Sequence, residues 1–269
     1  MSEKKAPSKK QVDLKHAEEL LSSSNPPITN KKWSEPRILN TEEAAAFKFT
    51  LPCRVILSGP SMSGKSSMML EFMKNYDTFF DKKFDYIIYF YPEQEGLASS
   101  RNAYISQLKE HVPDLIAIEG VPSMGKIAQL EGSKCLFLDD MFQILADSKD
   151  FVQLCTAGSH HANISFFVTT QNLYWSSQHR VTILRQMTDL IIFPGILDKS
   201  VLHTLSRQLF EDRQFLVHCF EWLHKYFKPQ FRRALWIDMN CLNYDMDDSM
   251  RVRGNFVQRN PLILFSANK

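Results

Sequence analysis

Apolar positions in this chain fall into short solid blocks separated by longer stretches in which they recur with helical spacing. Val55, Ile56 and Leu57 sit in one such block, residues 53–58, and predict a buried strand. Residues 84–91, Phe-Asp-Tyr-Ile-Ile-Tyr-Phe-Tyr, are aromatic and β-branched and end at Pro92, which predicts a second strand. Cys135-Leu136-Phe137-Leu138 is apolar on both faces, as a central parallel strand requires. Residues 164–169 and 190–193 repeat the pattern, the last closed by Pro194-Gly195. Between the blocks, residues 66–76 carry the stripe Met69, Phe72, Met73, Tyr76, and helical segments are read at 101–110, 123–130, 141–146, 151–160 and 181–187, with a short extra strand at 115–118. Strands alternating with helices imply βαβ units, a mostly parallel central sheet flanked by helices, and right-handed crossovers. Leu197, Val201, Leu205 and Leu209, then Phe215, Cys219, Leu223 and Phe227, recur at four-residue spacing and predict additional core-facing helices toward the C-terminus.

The join between the first strand and first helix carries the chemistry. Gly59-Pro60-Ser61-Met62-Ser63-Gly64-Lys65-Ser66 is a complete phosphate-binding loop. Its glycines allow the backbone to turn successive N–H groups inward around a β-phosphate, while Lys65 neutralises β/γ charge. Ser66 is placed to ligate Mg²⁺, and Ser67 completes the nucleotide-binding set at the start of the helix, whose positive dipole end faces the phosphates. A solvated Gly/Ser turn is the bland alternative, but strand, loop and amphipathic helix stand in the required order. The fold class expected is therefore α/β, a P-loop NTPase of RecA/ASCE-like type.

The third strand ends in Asp139-Asp140. That fits a Walker B motif in which Asp139 holds Mg²⁺ and Asp140 orients or deprotonates the attacking water, since phosphoryl transfer to water depends on positioning and charge neutralisation. Paired aspartates also cap helices, which is the alternative for the pair alone. Thr169-Thr170-Gln171-Asn172 ends the fourth strand. Should that strand lie between the phosphate-loop strand and the Walker B strand, Gln171 reaches the γ-phosphate and acts as a sensor; a polar strand terminus is the alternative. Arg180 and Arg185 precede the fifth strand, and Arg185 is preferred as a finger acting across a subunit boundary, against a surface salt bridge. His160 and His161 are adjacent, not at ligand spacing, and read as a helix terminus.

Composition narrows the picture further. With 269 residues, 44% of them hydrophobic, the chain supports one large core. Net charge is only +2, so a nucleic-acid coat is not indicated. Locally, Lys4, Lys5, Lys9, Lys10 and Lys15 with Pro7, Pro26, Pro27 and Pro36 make residues 1–40 a flexible basic arm; residues 41–269 are expected as one domain, with its core at 54–195 and a C-terminal extension at 196–269. Lys228, Arg232, Arg233, Arg251, Arg253 and Arg259 interleave with aromatics in that extension, a pattern shared by DNA-contacting stretches and ordinary solvated surface. The five scattered cysteines read as buried thiols in a reducing compartment. Without a long apolar span or signal-like segment, the expectation is an intracellular, soluble protein with no membrane insertion.

The phosphate loop, Leu136-Phe137-Leu138-Asp139-Asp140, the Gly158-to-Ser165 passage, Thr170-Gln171-Asn172, and Leu184-Arg185 leading into Thr188-Asp189-Leu190-Ile191-Ile192-Phe193 together resemble the genome-packaging ATPases of the FtsK/HerA superfamily. The type is that of poxviruses, other nucleocytoplasmic large DNA viruses, virophages and the Polinton (Maverick, adintovirus) elements. The resemblance covers residues 54–195. It implies a homo-oligomeric ring, pentameric or hexameric, that hydrolyses ATP with Mg²⁺ to thread double-stranded DNA into a capsid. It further implies capsid components as partners, a host nuclear or cytoplasmic assembly site, Gln171 coupling hydrolysis to movement, and an arginine such as Arg185 serving the neighbouring site. Many relatives have Asp-Glu where this chain has Asp139-Asp140, which bears on the base role of Asp140. The competing readings are a guanylate-kinase-like nucleotide kinase, which lacks its arginine-rich acceptor site here because no arginine occurs between Arg54 and Arg101, and a nucleotide-binding scaffold, against which Asp139 argues.

Overall fold

The computed structural model describes residues 33, 35–93, 98–195, 199–227, 233–239, 252–257 and 262–266. The lysine-rich segment 1–32, Leu197, Lys228, Arg232, Cys241, Arg251 and Arg259 lie outside the described residues.

Strand β1 (Arg37–Leu39) and helix α1 (Thr41–Ala44) open the described chain, and Asn40 caps α1 in a reciprocal capping box with Glu43. β2 (Arg54–Ser58) leads through the phosphate loop into α2 (Lys65–Lys74) and, after a break at Asn75, α3 (Tyr76–Phe79). The stripe from Met69 to Tyr76 therefore spans two helices. β3 (Tyr86–Tyr91), α4 (Ala98–His111), β4 (Ile116–Glu119), α5 (Met124–Ala128) and β5 (Lys134–Leu138) follow. Residues 141–161, read as two helices, are α6 (Phe142–Leu145), α7 (Lys149–Gln153), a π-helical turn at Leu154–Gly158, and α8 (Ser159–His161), which ends in the two histidines. β6 (Ile164–Thr170), α9 (Arg180–Gln186) and β7 (Asp189–Ile192) complete the alternating part. Two amphipathic helices, α10 (Lys199–Phe210) and α11 (Phe215–Tyr226), come next, as their apolar spacing predicts.

Beyond α11 the structure departs from the sequence expectation. The extension contributes strands as well as helices: β8 (Leu235–Asp238), β9 (Val252–Gly254) and β10 (Leu262–Phe265). All join one sheet, whose described order is β1-β10-β9-β8-β7-β2-β6-β5-β3-β4. From β7 to β4 the pairing is parallel; β7-β8, β8-β9, β9-β10 and β10-β1 are antiparallel. Arg37–Leu39, inside the span read as arm, is thus an edge strand, and Trp33 donates from Nε1 to Asp212 Oδ2 at 2.8 Å.

Successive residues of β2 feed opposite cores. Val55 and Leu57 pack with Phe72, Phe137 and Phe167, while Ile56 packs with Leu136, Phe166 and Val168 on the other face, where α10 and α11 also dock. This two-sided burial is why the strand sequences are solid apolar blocks rather than alternating ones. Cys53, Cys135, Cys155 and Cys219 are buried thiols. No helix among the described residues is long and apolar enough to cross a membrane.

Candidate functional site

Parallel pairing puts the carboxyl ends of β2, β6 and β5 side by side, with β6 between the other two. Backbone bonds extend this order into the loops: Gly59 N–H donates to Thr170 carbonyl at 3.1 Å and Asp139 N–H to Phe90 carbonyl at 3.0 Å. The phosphate loop, Asp139-Asp140 and Gln171 therefore gather at one edge of the sheet, where ligands of open α/β folds bind. A strand between the phosphate-loop strand and the Walker B strand is the arrangement of a P-loop NTPase of ASCE type.

Loop geometry depends on its glycines. A β-carbon on Gly59 would stand 2.6 Å from Phe193 Cβ and 2.9 Å from Ser63 Oγ, so only glycine fits without moving backbone. Gly64, at φ 101°, caps α2 in the left-handed region. Met62 also has positive φ, at 61°, and is 99% exposed at the loop's tip. Ser63 is buried within the loop, and its hydroxyl has no partner among the described residues. Lys65, only 7% exposed, donates from Nζ to the carbonyls of Gly59 (2.8 Å) and Pro60 (2.9 Å). Burial pulls the Lys65 ammonium below the usual lysine range, and the charges of Asp140 and Asp139 work against that shift.

The Asp139 carboxylate is held from three directions. Ser66 Oγ (3.1 Å) and Thr169 Oγ1 (3.0 Å) donate to Oδ1, and Tyr89 OH (2.8 Å) donates to Oδ2. Thr169 Oγ1 in turn accepts the Asp140 N–H at 2.7 Å, and Tyr104 on α4 donates to the Ser66 carbonyl at 2.7 Å. Asp140 has φ 54°, a left-handed conformation that aspartate tolerates better than most residues. The pair is no helix cap, since α6 starts only at Phe142, with Met141 as its N-cap residue. Partial desolvation by the surrounding site first, and the Asp139 charge second, raise the Asp140 carboxyl above the usual range although the residue stays exposed on the cavity side; Lys65, Arg101 and the Thr169 bond oppose the rise. A carboxylate so placed is a better proton acceptor than a solvated one.

Ser61, Met62, Gly64, Lys65, Ser66 and Ser67 wall a cavity of about 240 Å³ on the loop side, and Asp140 and Gln171 face it from the strand ends. From the sequence, Gln171 was expected here only if its strand lay between the phosphate-loop strand and the Asp139 strand, and the sheet order meets that condition. Arg185 is elsewhere: it is exposed in the last turn of α9, next to Gln186, whose carbonyl accepts from Arg54 at the amino end of β2. Arg180, at the other end of that helix, lies with its guanidinium 5.6 Å from the Tyr174 ring centroid. Arg253, read with the basic C-terminal stretch, is 2% exposed and paired to Asp238 at 2.7 Å, so it is neither solvated surface nor a contact for DNA.

Sequence reasoning missed Tyr89, Tyr104 and the hydroxyl of Thr169. The available signal for Tyr89 was a phenol inside a run expected to be buried, which needs a partner for its O–H.

Ser66 and Asp139 supply hard oxygen donors already joined to one another, the chemistry that suits Mg²⁺. No three-residue cluster of histidine, cysteine or acidic side chains that could hold a metal ion occurs among the described residues.

The sequence matches no protein-family model and no curated protein. Among solved structures the chain is similar to the genome packaging NTPase B204 of Sulfolobus turreted icosahedral virus 2 in complex with ATP-gammaS, at 17% identity over 72% of this chain and 95% of that one, TM-score 0.44. It is also similar to B204, the DNA-packaging ATPase of Sulfolobus turreted icosahedral virus, at 14% identity with the same coverages and TM-score. The flagellar accessory protein FlaH of Methanocaldococcus jannaschii follows at 13% identity over 59% of this chain and 80% of that one, TM-score 0.40.

Proposed function

We propose that this chain is an ATP-hydrolysing motor that moves double-stranded DNA into a viral or virus-like capsid. One observation carries the reading: β6 separates the phosphate-loop strand from the Asp139 strand, so that Lys65, Asp140 and Gln171 face a single cavity. In that arrangement the loop N–H groups and Lys65 grip the β- and γ-phosphates. Lys65 exchanges its two carbonyl bonds for phosphate oxygens, and the Pro60 carbonyl keeps the Ser63 N–H at 3.3 Å. Ser66 and Asp139 would hold Mg²⁺, which when bound neutralises charge on the phosphates. Asp140 accepts the proton of the attacking water, and Gln171 orients that water without adding charge.

The motor part rests on the sequence resemblance to FtsK/HerA packaging enzymes of the poxvirus and Polinton type. A pentameric or hexameric ring, capsid components as partners and Arg185 as a finger belong to the same proposal; Arg185 is exposed and so accessible to a neighbouring subunit. An ATPase assay with and without long duplex DNA, combined with particle sizing, tests it. Turnover should rise with subunit concentration and on adding DNA. A monomer with full, DNA-independent activity refutes the motor while leaving the hydrolase standing.

A further inference from the structure

A second cavity, of about 280 Å³, opens between the turn that follows β7 and the helical pair α10–α11. Phe193, Leu202, Val217 and Phe220 form its apolar walls, and the exposed residues Lys199 and Glu221 bring one charge of each sign to its rim. Along α11 the lining residues Val217, Phe220 and Glu221 fall at i, i+3 and i+4, on one face of the helix. An apolar groove on a helical pair is the surface into which another amphipathic helix lays its apolar stripe.

The chain carries such a stripe in its lysine-rich segment. Residues 13–21, Asp-Leu-Lys-His-Ala-Glu-Glu-Leu-Leu, are mostly strong helix formers. Leu14, Ala17, Leu20 and Leu21 recur in them at helical spacing. Coiled as a helix, they form an apolar face bordered by Lys15, Glu18 and Glu19, whose charges complement Glu221 and Lys199.

The anchoring of Trp33 decides which surface this segment can reach. The Trp33 ring stacks on His218 of α11 with 4.5 Å between centroids, and its Nε1 donates to Asp212 Oδ2 at 2.8 Å. His218 lies one helical turn from Glu221, close enough for the Glu221 charge to act on its imidazole. Residues 22–32, which contain Pro26 and Pro27, span up to about 36 Å when extended. The whole of the 12-residue α11 is only about 18 Å long. Residues 14–21 can therefore reach the cavity of their own molecule.

We propose that the segment Leu14–Leu21 docks its leucines into the α10–α11 cavity of the same molecule. A space of this size takes about two aliphatic side chains. Docking also places the lysine-rich end. Lys10 falls within about 14 Å of Leu14, so the lysines at 4, 5, 9 and 10 leave the domain beside the turn at Phe193, whose Cβ abuts Gly59 of the phosphate loop. The docking stands apart from the nucleotide reading and does not depend on hydrolysis.

Replacing Leu20 by photo-reactive p-benzoylphenylalanine in the full chain, then irradiating, digesting and mapping adducts by mass spectrometry, tests the docking. Adducts should form within one molecule and fall on residues 193–226. Leu21→Asp should lower their yield by at least about fivefold, because aspartate removes a buried leucine and brings a charge to an apolar wall. That variant keeps the Trp33 tether, so labelling by proximity alone would persist at full yield, and such persistence overturns the proposal. Phe220→Asp should lower the yield from the cavity side; where it fails to fold, Leu21→Asp decides. Adducts scattered over other surfaces, or none at all, also overturn it. In a mixture of ordinary and ¹⁵N-labelled chains, adducts joining the two kinds would assign the segment to a neighbouring copy and overturn docking within the molecule.

Discussion

Two buried aspartates stand at opposite edges of the same sheet, and their surroundings differ in one respect that separates a reactive site from a structural seam. Asp139, at the carboxyl edge, accepts from Tyr89, Thr169 and Ser66, and beside it Lys65 and Asp140 open on a cavity. Asp189, at the amino edge where the parallel and antiparallel halves meet, accepts from Trp236 Nε1 at 2.6 Å and Thr188 Oγ1 at 2.7 Å. Its neighbours are the Arg253–Asp238 pair, with the Arg253 guanidinium 4.3 Å from the Trp236 ring centroid and 5.0 Å from that of Phe47. Both carboxylates are held by a threonine hydroxyl and an aromatic donor. Only the first shares its donors with a group, Ser66, that can turn to a ligand. A buried charge is thus a functional signal when its shell opens on a cavity, and a packing device when the shell is closed by aromatic rings.

The comparison is broken most severely by substitutions at the open site. Lys65→Ala and Asp140→Asn should each lower ATP turnover by at least about a hundredfold, with Asp140→Asn still binding nucleotide in calorimetry. Asp189→Asn should leave turnover per folded molecule near wild type; a loss as large as that at Asp140 would erase the distinction drawn here. At the closed site the currency is stability. Arg253→Met strands Asp238 and Asp189 beside each other and should cost about 3–5 kcal/mol in urea denaturation, with phosphate binding preserved in the fraction that folds. Tyr89→Phe sharpens the role of the open shell: removing a donor to a ligand-holding carboxylate should weaken Mg²⁺ dependence of nucleotide binding by about tenfold, read by titrating Mg²⁺ against bound nucleotide, while the melting transition shifts little.

The smallest effect is in the pH dependence of stability. Burial, and then the charge of Asp238, raise the Asp189 carboxyl from its usual 3.8 to about 7. Folded protein then retains a proton that unfolded chain has lost between those values, so this group makes stability fall as pH rises through that window and contributes no further slope above it. Urea midpoints taken near pH 5 and pH 8 should decline in wild type and decline less in Asp189→Asn. Equal slopes in the two proteins would remove Asp189 from the pH response.

The strands that carry the site were legible because each is buried on both faces. β5 and β6 differ from their expected spans by one residue at an end, and β7 by one at each. β8 was not legible, although Leu235-Trp236-Ile237 is as apolar and as buried as β5. It is four residues long, stands among basic residues, and pairs antiparallel with β7, from which α10 and α11 separate it in the chain, and with β9. Nor could Arg253 be told from a solvated arginine, because its burial depends on Asp238 and Trp236 of β8 and on Phe47, which arrive from two other segments.

By itself the order of residues determined the local chemistry: which glycines permit the loop, which lysine and serine follow it, which apolar blocks must be interior strands and which aspartates end one of them. These are short-range consequences of sterics, hydrogen-bond donors and side-chain periodicity. Tertiary structure alone decided which strand lies beside which, and so that Gln171 and Asp140 share a cavity, that Tyr89 fixes Asp139, and that Arg185 stands at the far edge. Those outcomes depend on pairings between residues distant in the chain, such as Arg37 with Leu264 or Ser58 with Ile192, whose selection is made by the burial of the whole sheet at once.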